Sequence, residues 1–249
     1  MRLTNRTILI TGGTSGIGYG LVEAFYKSKC KVIACGRDKE KLASIEKEFP
    51  DISAFQCDVS DSHQRKHLAT EVLQRFPEID TLINNAGIQR YIDLKKGYTD
   101  LKSGENEITT NFTSVVELTS LFISHLLKRP SAAIINVSSG LAFMPMLNTP
   151  IYCATKAALH TYTLVLRQQL KDTSVKVIEI VPPMVDTNLN KKGRDLAQLK
   201  FRGVSLSEYI PSVIQGFEKD EEMIFFGDAK KVMTESRSES ETRLFKPSW

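Results

Sequence analysis

Tyr152 and Lys156 stand four residues apart in Tyr-Cys-Ala-Thr-Lys, a spacing that puts both side chains on one face of a helix. A phenol ordinarily titrates at about 10, so exchanging a proton at neutral pH calls for a positive neighbour, which a lysine ammonium supplies. Taken alone, the pair equally suits the polar side of an amphipathic helix. A second chemistry lies in Thr11-Gly12-Gly13-Thr14-Ser15-Gly16-Ile17-Gly18, which follows a short β-branched run and opens a helical pattern. Glycines let the backbone turn sharply and let a pyrophosphate approach the amides at the positive end of a helix. The spacing is G-x-x-x-G-x-G rather than G-x-G-x-x-G, and no Lys-Ser/Thr pair completes a P-loop.

The next apolar run ends in Ala34-Cys35-Gly36-Arg37-Asp38. An NAD-preferring site places an acid near this point to hold the ribose 2′-hydroxyl. Here small residues leave room, and the Arg37 guanidinium can fork onto a 2′-phosphate. NADP(H) is therefore the expected cofactor, with NAD(H) possible, while Asp38 reads as a helix N-cap. Two further polar clusters close strands: Asn84-Asn85-Ala86-Gly87 and Ser138-Ser139.

These groups meet only if the elements carrying them share an edge. Strand-like runs at 7–10, 31–35, 53–57, 81–83, 132–137 and 175–181 alternate with helical patterns at 16–29, 39–49, 61–75, 105–127 and 151–171. Such alternation predicts βαβ units: a single-domain, Rossmann-like α/β fold, doubly wound, its parallel sheet covered by helices on both faces. Ligands of such sheets bind beyond the carboxyl ends of the strands, where the glycine turn, the asparagine cluster and the serine pair all fall. Residues 1–249 thus read as one dinucleotide-binding catalytic domain. About 187–216 turns polar and suits an insertion over the ligand site, Met223–Phe226 is a candidate last strand, and about 228–249 is a polar tail.

Composition narrows the class. The 249 residues are 41% hydrophobic and 25% charged with a net charge of +4, ordinary globular usage that does not announce a nucleic-acid partner. No apolar run reaches the length of a membrane span. The N-terminus enters a strand rather than a signal-peptide core, so a cytoplasmic location is expected. Cys30, Cys35, Cys57 and Cys153 show no CxxC pair and read as reduced small hydrophobes. His63 and His67 flank Arg65 and Lys66 without the glutamate of a zincin motif, so no metal site is expected. A serine hydrolase elbow is absent from the sequence. The apolar character of the 151–170 helix, which carries Ala154, Ala157, Ala158, Leu164 and Val165, points to an intersubunit face rather than to a catalytic relay through His160.

Taken together the motifs resemble those of the classical short-chain dehydrogenase/reductase family: T-G-G-T-S-G-I-G at 11–18, N-N-A-G at 84–87, Ser139, Y-C-A-T-K at 152–156 and P-P-M-V-D-T at 182–187. The stretch from Tyr152 through that last run further resembles the DltE-type oxidoreductases. The resemblance implies an oxidoreductase moving a hydride between a nicotinamide cofactor and a carbonyl or secondary alcohol. Tyr152 would be general acid and base, Lys156 would lower its pKa and bind the nicotinamide ribose, and Ser139, thirteen positions before Tyr152, would hold the substrate oxygen. Asn111 would hold a relay water. Cofactor contacts would come from Gly12, Thr14, Ser15, Gly16, Ile17, Gly18, Arg37, Asp58, Val59, Asn85, Ala86, Gly87, Tyr152, Lys156, Pro182 and Thr187. Pro183 stands where the family has glycine, which removes an N–H beside the nicotinamide. The resemblance also implies a homodimer or homotetramer. A catalytically idle dinucleotide-binding regulator or scaffold is the alternative.

Overall fold

The β-branched runs become strands because they are apolar on both sides and can be covered on both faces, as a parallel sheet requires. In the computed structural model, which describes residues 4–98, 102, 106–189 and 203–227, these strands are β1 (Thr7–Thr11), β2 (Lys31–Gly36), β3 (Ser53–Gln56), β4 (Thr81–Asn84), β5 (Ala132–Val137), β6 (Val175–Val181) and β7 (Met223–Phe225). They form a seven-stranded sheet in the order β3-β2-β1-β4-β5-β6-β7, and every pairing is parallel. The strand order reverses between β1 and β4, which opens a crevice at their carboxyl ends.

Among the described residues six helices cover the sheet: α1 (Gly16–Lys27), α2 (Lys39–Glu48), α3 (Ser62–Arg75), α4 (Ser114–Leu126), α5 (Pro150–Leu170) and α6 (Leu206–Glu218). Alternate strand residues feed two cores. Ile8 and Ile10 pack with Leu21 and Phe25 of α1 and with Val213 and Phe217 of α6. Leu9, between them, faces Leu68 and Val72 of α3, Phe122 of α4 and Leu166 of α5. Helix starts follow local chemistry: Asp38 and Asp61 each accept two backbone N–H bonds as caps of α2 and α3, and Pro150 occupies the first turn of α5.

The insertion is shorter than the polar pattern predicts. Its part from Leu206 onward is α6, capped by Ser205 and burying Tyr209, Val213 and Phe217. Pro211 and the flanking Ser and Gly residues disguise an apolar stripe that docks on α1. Val185 and Val204 form a parallel bridge beside the crevice. The rest of the insertion, 190–202, and the tail at 228–249 lie outside the described residues. No helix among the described residues is long and apolar enough to cross a membrane.

Candidate active site

The turn between β1 and α1 needs its glycines for different reasons. Gly12 and Gly16 have φ of +65° and +54°, conformations in which a side chain is strained. A Cβ on Gly18 would lie 2.1 Å from the Gly12 carbonyl oxygen, so turn and helix could not close together. Ser15, the N-cap residue of α1, makes no side-chain cap, which leaves the first amides of the helix available to an anion. Asn85 serves this turn directly. Its Nδ2 donates to the carbonyls of Thr11 (2.9 Å) and Gly12 (3.2 Å). The Thr11 hydroxyl accepts from the backbone N–H groups of Asn85 (3.0 Å) and Ala86 (3.1 Å). Thr187 lies over the turn, 3.2 Å from where a Gly16 Cβ would be.

A cleft of about 1900 Å³ runs from this turn in both directions, bordered by Ile17, Val59, Gly87, Pro182, Pro183 and Leu189 among others. At one end Gly36 sits so close to Thr14 that a Cβ would meet its methyl at 2.9 Å. Arg37 and Asp58 flank the same end, with Nη1 and Oδ2 3.9 Å apart and the Arg37 side chain 51% exposed. Asp58 also accepts from the Ser60 amide at 2.8 Å. The caps at Lys41 and Glu40 hold the Asp38 carboxyl below the usual carboxylate range, so it stays ionised at the start of α2.

At the other end the polar side chains are buried. The Lys156 ammonium donates to the Val137 carbonyl at 2.7 Å and lies 5.7 Å from the centroid of the Tyr152 ring. Burial lowers Lys156 to about 8, with Glu179 pulling it back up. Burial likewise pushes the Tyr152 phenol up to about 12, while its hydrogen bond with Ser139 acts the other way. Desolvation of the buried phenolate thus sets the direction, with Ser139 opposing it. The adjacent serines are separated by strand geometry: Ser139 faces Tyr152, while Ser138 Oγ turns to the Ile180 carbonyl at 3.4 Å.

Asn111 is fully buried in a π-helical turn, Thr109–Thr113, that precedes α4. Its amide donates to the Ile88 carbonyl (2.9 Å) and to Thr155 Oγ1 (3.2 Å), and its oxygen accepts from the Ile88 amide (2.8 Å). The side chain therefore clamps the loop after Gly87 to α5. A Cβ on Gly87 would lie 3.4 Å from Asn111 Oδ1 and 3.6 Å from Lys156 Nζ, ordinary contact distances that place Gly87 next to both groups. Two groups at this end escape motif reading. Glu107 is buried, accepts from the Arg90 amide at 3.0 Å and is pushed upward by desolvation. Glu179 is fully buried in β6 and holds His160 at 2.9 Å, so His160 points into the molecule rather than to an outer face. A charge inside the apolar run Val-Lys-Val-Ile-Glu-Ile-Val was the available signal, since a buried carboxylate requires a partner.

Known proteins share this fold and family. Residues 6–197 match the family model described as short chain dehydrogenase. The uncharacterized oxidoreductase DltE of Bacillus subtilis (strain 168) is 48% identical over 224 residues, 90% of this chain and 89% of that protein. A short chain dehydrogenase from Burkholderia cenocepacia J2315 in complex with NADP superposes with a TM-score of 0.85 at 25% identity, covering 99% of this chain and 100% of its own. A short chain dehydrogenase/reductase from Burkholderia phymatum in complex with NAD gives 0.86 at 19% identity, covering 100% and 98%, a likeness of fold.

Proposed function

Because the chain belongs to the short chain dehydrogenase family, its cleft is that of a nicotinamide-dependent oxidoreductase, and we propose that it interconverts a carbonyl and a secondary alcohol with NADP(H) as the preferred dinucleotide. The observation that carries the reading is the buried Ser139–Tyr152–Lys156 group at one end of the cleft whose centre is the glycine turn. The residues present suit the dinucleotide: a turn with no room for a side chain at Gly12 or Gly18, an uncapped helix start and a guanidinium at the far end. When bound, the dinucleotide supplies or takes up the hydride.

The chain's own residues do the rest. The amides of Thr14 to Gly18 would cradle the pyrophosphate, and Arg37 would pair with a 2′-phosphate that an NAD-type acid would repel. Asp58 and Val59 would border the adenine, and Pro182 and Thr187 the nicotinamide amide. In reduction Tyr152, neutral because its phenol is raised to about 12, gives its proton to the carbonyl oxygen as that oxygen gains charge. Ser139 donates a hydrogen bond to the same oxygen. Lys156, anchored by Val137, stabilises the phenolate left behind and holds the nicotinamide ribose. Asn111 keeps Ile88 and α5 in register next to Gly87. A homo-oligomer in the cytoplasm completes the reading.

Absorbance of NADPH followed over a panel of ketones and aldehydes tests the activity, and titration of NADPH and NADH tests the preference. Tighter NADPH binding is expected. Arg37→Ala should lower NADPH affinity roughly 10- to 150-fold, the equivalent of about 1.5–3 kcal/mol for a charge-assisted bond, and leave NADH unchanged. Tighter binding of NADH by the unaltered protein overturns the cofactor assignment. Binding without turnover on any carbonyl overturns the catalytic one in favour of an idle dinucleotide binder.

A further inference from the structure

Lys156 has an ionic neighbourhood that the reaction above does not use. Asn84, Asn136 and Glu179 are register partners across β4, β5 and β6, so all three project from the same face of the sheet, beneath α5. All are buried. Asn84 Nδ2 donates to Asn136 Oδ1 at 2.9 Å, and Asn136 Nδ2 donates to Thr163 Oγ1 at 2.9 Å. The row ends in Glu179, whose Oε2 accepts from His160 Nδ1 at 2.9 Å while Oε1 is buried with no hydrogen-bond partner. His160 follows Lys156 by one helical turn on α5, with Phe143 from the turn after Ser139 packed against its ring at 4.6 Å. Val137, whose carbonyl anchors the Lys156 amine, is the next residue after Asn136, the register partner of Glu179. The acid therefore stands one strand away from the lysine's anchor.

We propose that Glu179 is a positioning residue for Lys156: held by His160 at the end of the buried polar row, it is the counter-charge that keeps the Lys156 amine cationic against the Val137 carbonyl. A half-partnered buried carboxylate destabilises a fold unless a charge compensates it. A buried ammonium has the same need, and each supplies it to the other. Among the described residues the titratable groups bearing on the amine are Tyr152 on its own helix, neutral through the physiological range, Glu179 from β6 and, through Glu179, His160. Glu107 bears on the Tyr152 phenol instead. Burial brings Lys156 to about 8, and Glu179 opposes that fall, as the arrangement requires.

The inference rests on the role assigned to Lys156, and its test is independent of turnover. In protein carrying ¹³C at lysine Cε, with the Lys156 signal identified by its loss in Lys156→Met, the titration midpoint is followed in the cofactor-free chain. Glu179→Gln should lower that midpoint by about one pH unit, the low end of the effect of an opposite charge. Glu179→Asp should restore most of it. Should Glu179→Gln fail to fold, Glu179→Leu with His160→Phe replaces the couple by apolar side chains of similar volume, an exchange buried ion pairs tolerate, and should give the same fall. A midpoint that stays in place in the charge-removing variants overturns the inference, whatever the activity. A midpoint that falls in a protein without turnover leaves the inference standing and removes only the catalytic reading.

Discussion

At the scale of single residues, the chemistry divides between a group that must be neutral and one that must be charged. Tyr152 is raised to about 12 and therefore carries its proton at any physiological pH, the form a proton donor needs. Tyr152→Phe keeps the ring and removes only the hydroxyl. Turnover in the reductive direction should fall about 10²–10⁴-fold, with NADPH affinity unchanged by fluorescence titration. Near-normal turnover would remove the phenol from the mechanism. Ser139→Ala should lower turnover about 10²–10³-fold, as loss of one donor to a developing oxyanion does. Ser138→Ala, which removes only a long bond to the Ile180 carbonyl, should be mild, and equal losses in the two variants would refute the assignment of Ser139. Lys156 carries the opposite cost. Its value in the fold, about 8, lies below the ordinary 10.5, so between those pH values the unfolded chain binds more protons and stability rises with pH. Below 8 the whole cost of the buried ammonium is present. In urea unfolding the parent should gain stability relative to Lys156→Met as pH rises from about 8 to 10.5, while at pH 7 the variant leaves the buried Glu179 without its counter-charge. A difference between parent and variant that stays constant across that window would contradict the burial argument.

At the scale of elements, the β1–α1 turn is fixed by space rather than by side-chain bonds of its own. Gly18→Ala would place a methyl at 2.1 Å from the Gly12 oxygen, and backbone rather than a flexible side chain would have to yield. Such overpacking costs typically about 1–3 kcal/mol. The displaced amides should cost NADPH at least tenfold in affinity. Gly140→Ala is the contrast: its nearest neighbour, the Pro182 oxygen, lies at 3.5 Å, an ordinary contact, so cofactor affinity should stay within about twofold, on the order of 0.4 kcal/mol. Similar affinities for the two variants would argue that the turn does not hold the pyrophosphate. The loop after β6 shows why Pro183 is compatible with a closed cleft. Its backbone is tied by the Gly140 amide to the Pro182 carbonyl at 2.8 Å and by Val204 to the Met184 carbonyl at 2.9 Å, and neither bond uses the N–H that proline lacks.

At the scale of the whole molecule, α5 has two faces with different fates. Its inner face, with Leu159, Thr163 and Leu166, is buried on the sheet, while Leu164 and Val165 are 41% and 52% exposed. Apolar exposure on the helix that carries Tyr152 and Lys156 suits a self-complementary contact about a two-fold axis. The protein should sediment as a dimer or tetramer at micromolar concentration. Leu164→Glu with Val165→Glu should shift it to monomer without unfolding it, because both positions lie outside the core. A monomeric parent would defeat this prediction.

The local sequence by itself determined the kind of fold and the parts of the site. Strand and helix periods, the glycine turn, the caps and the four-residue interval between Tyr152 and Lys156 each depend on near neighbours, so they are legible one segment at a time. Tertiary structure alone decided what those parts experience. Asn85 reaches Thr11 and Gly12, Asn111 clamps Ile88, and Lys156 hangs from Val137, contacts between residues far apart in the chain. The raised phenol and lowered amine come from burial, which no motif encodes. α6 was hidden for the same reason: its apolar stripe is short and broken by Pro211, and it becomes a helix by docking on α1. Glu179 became intelligible only when strand register set it beside the anchor of Lys156, since a carboxylate's effect depends on distance and dielectric rather than on its place in the chain.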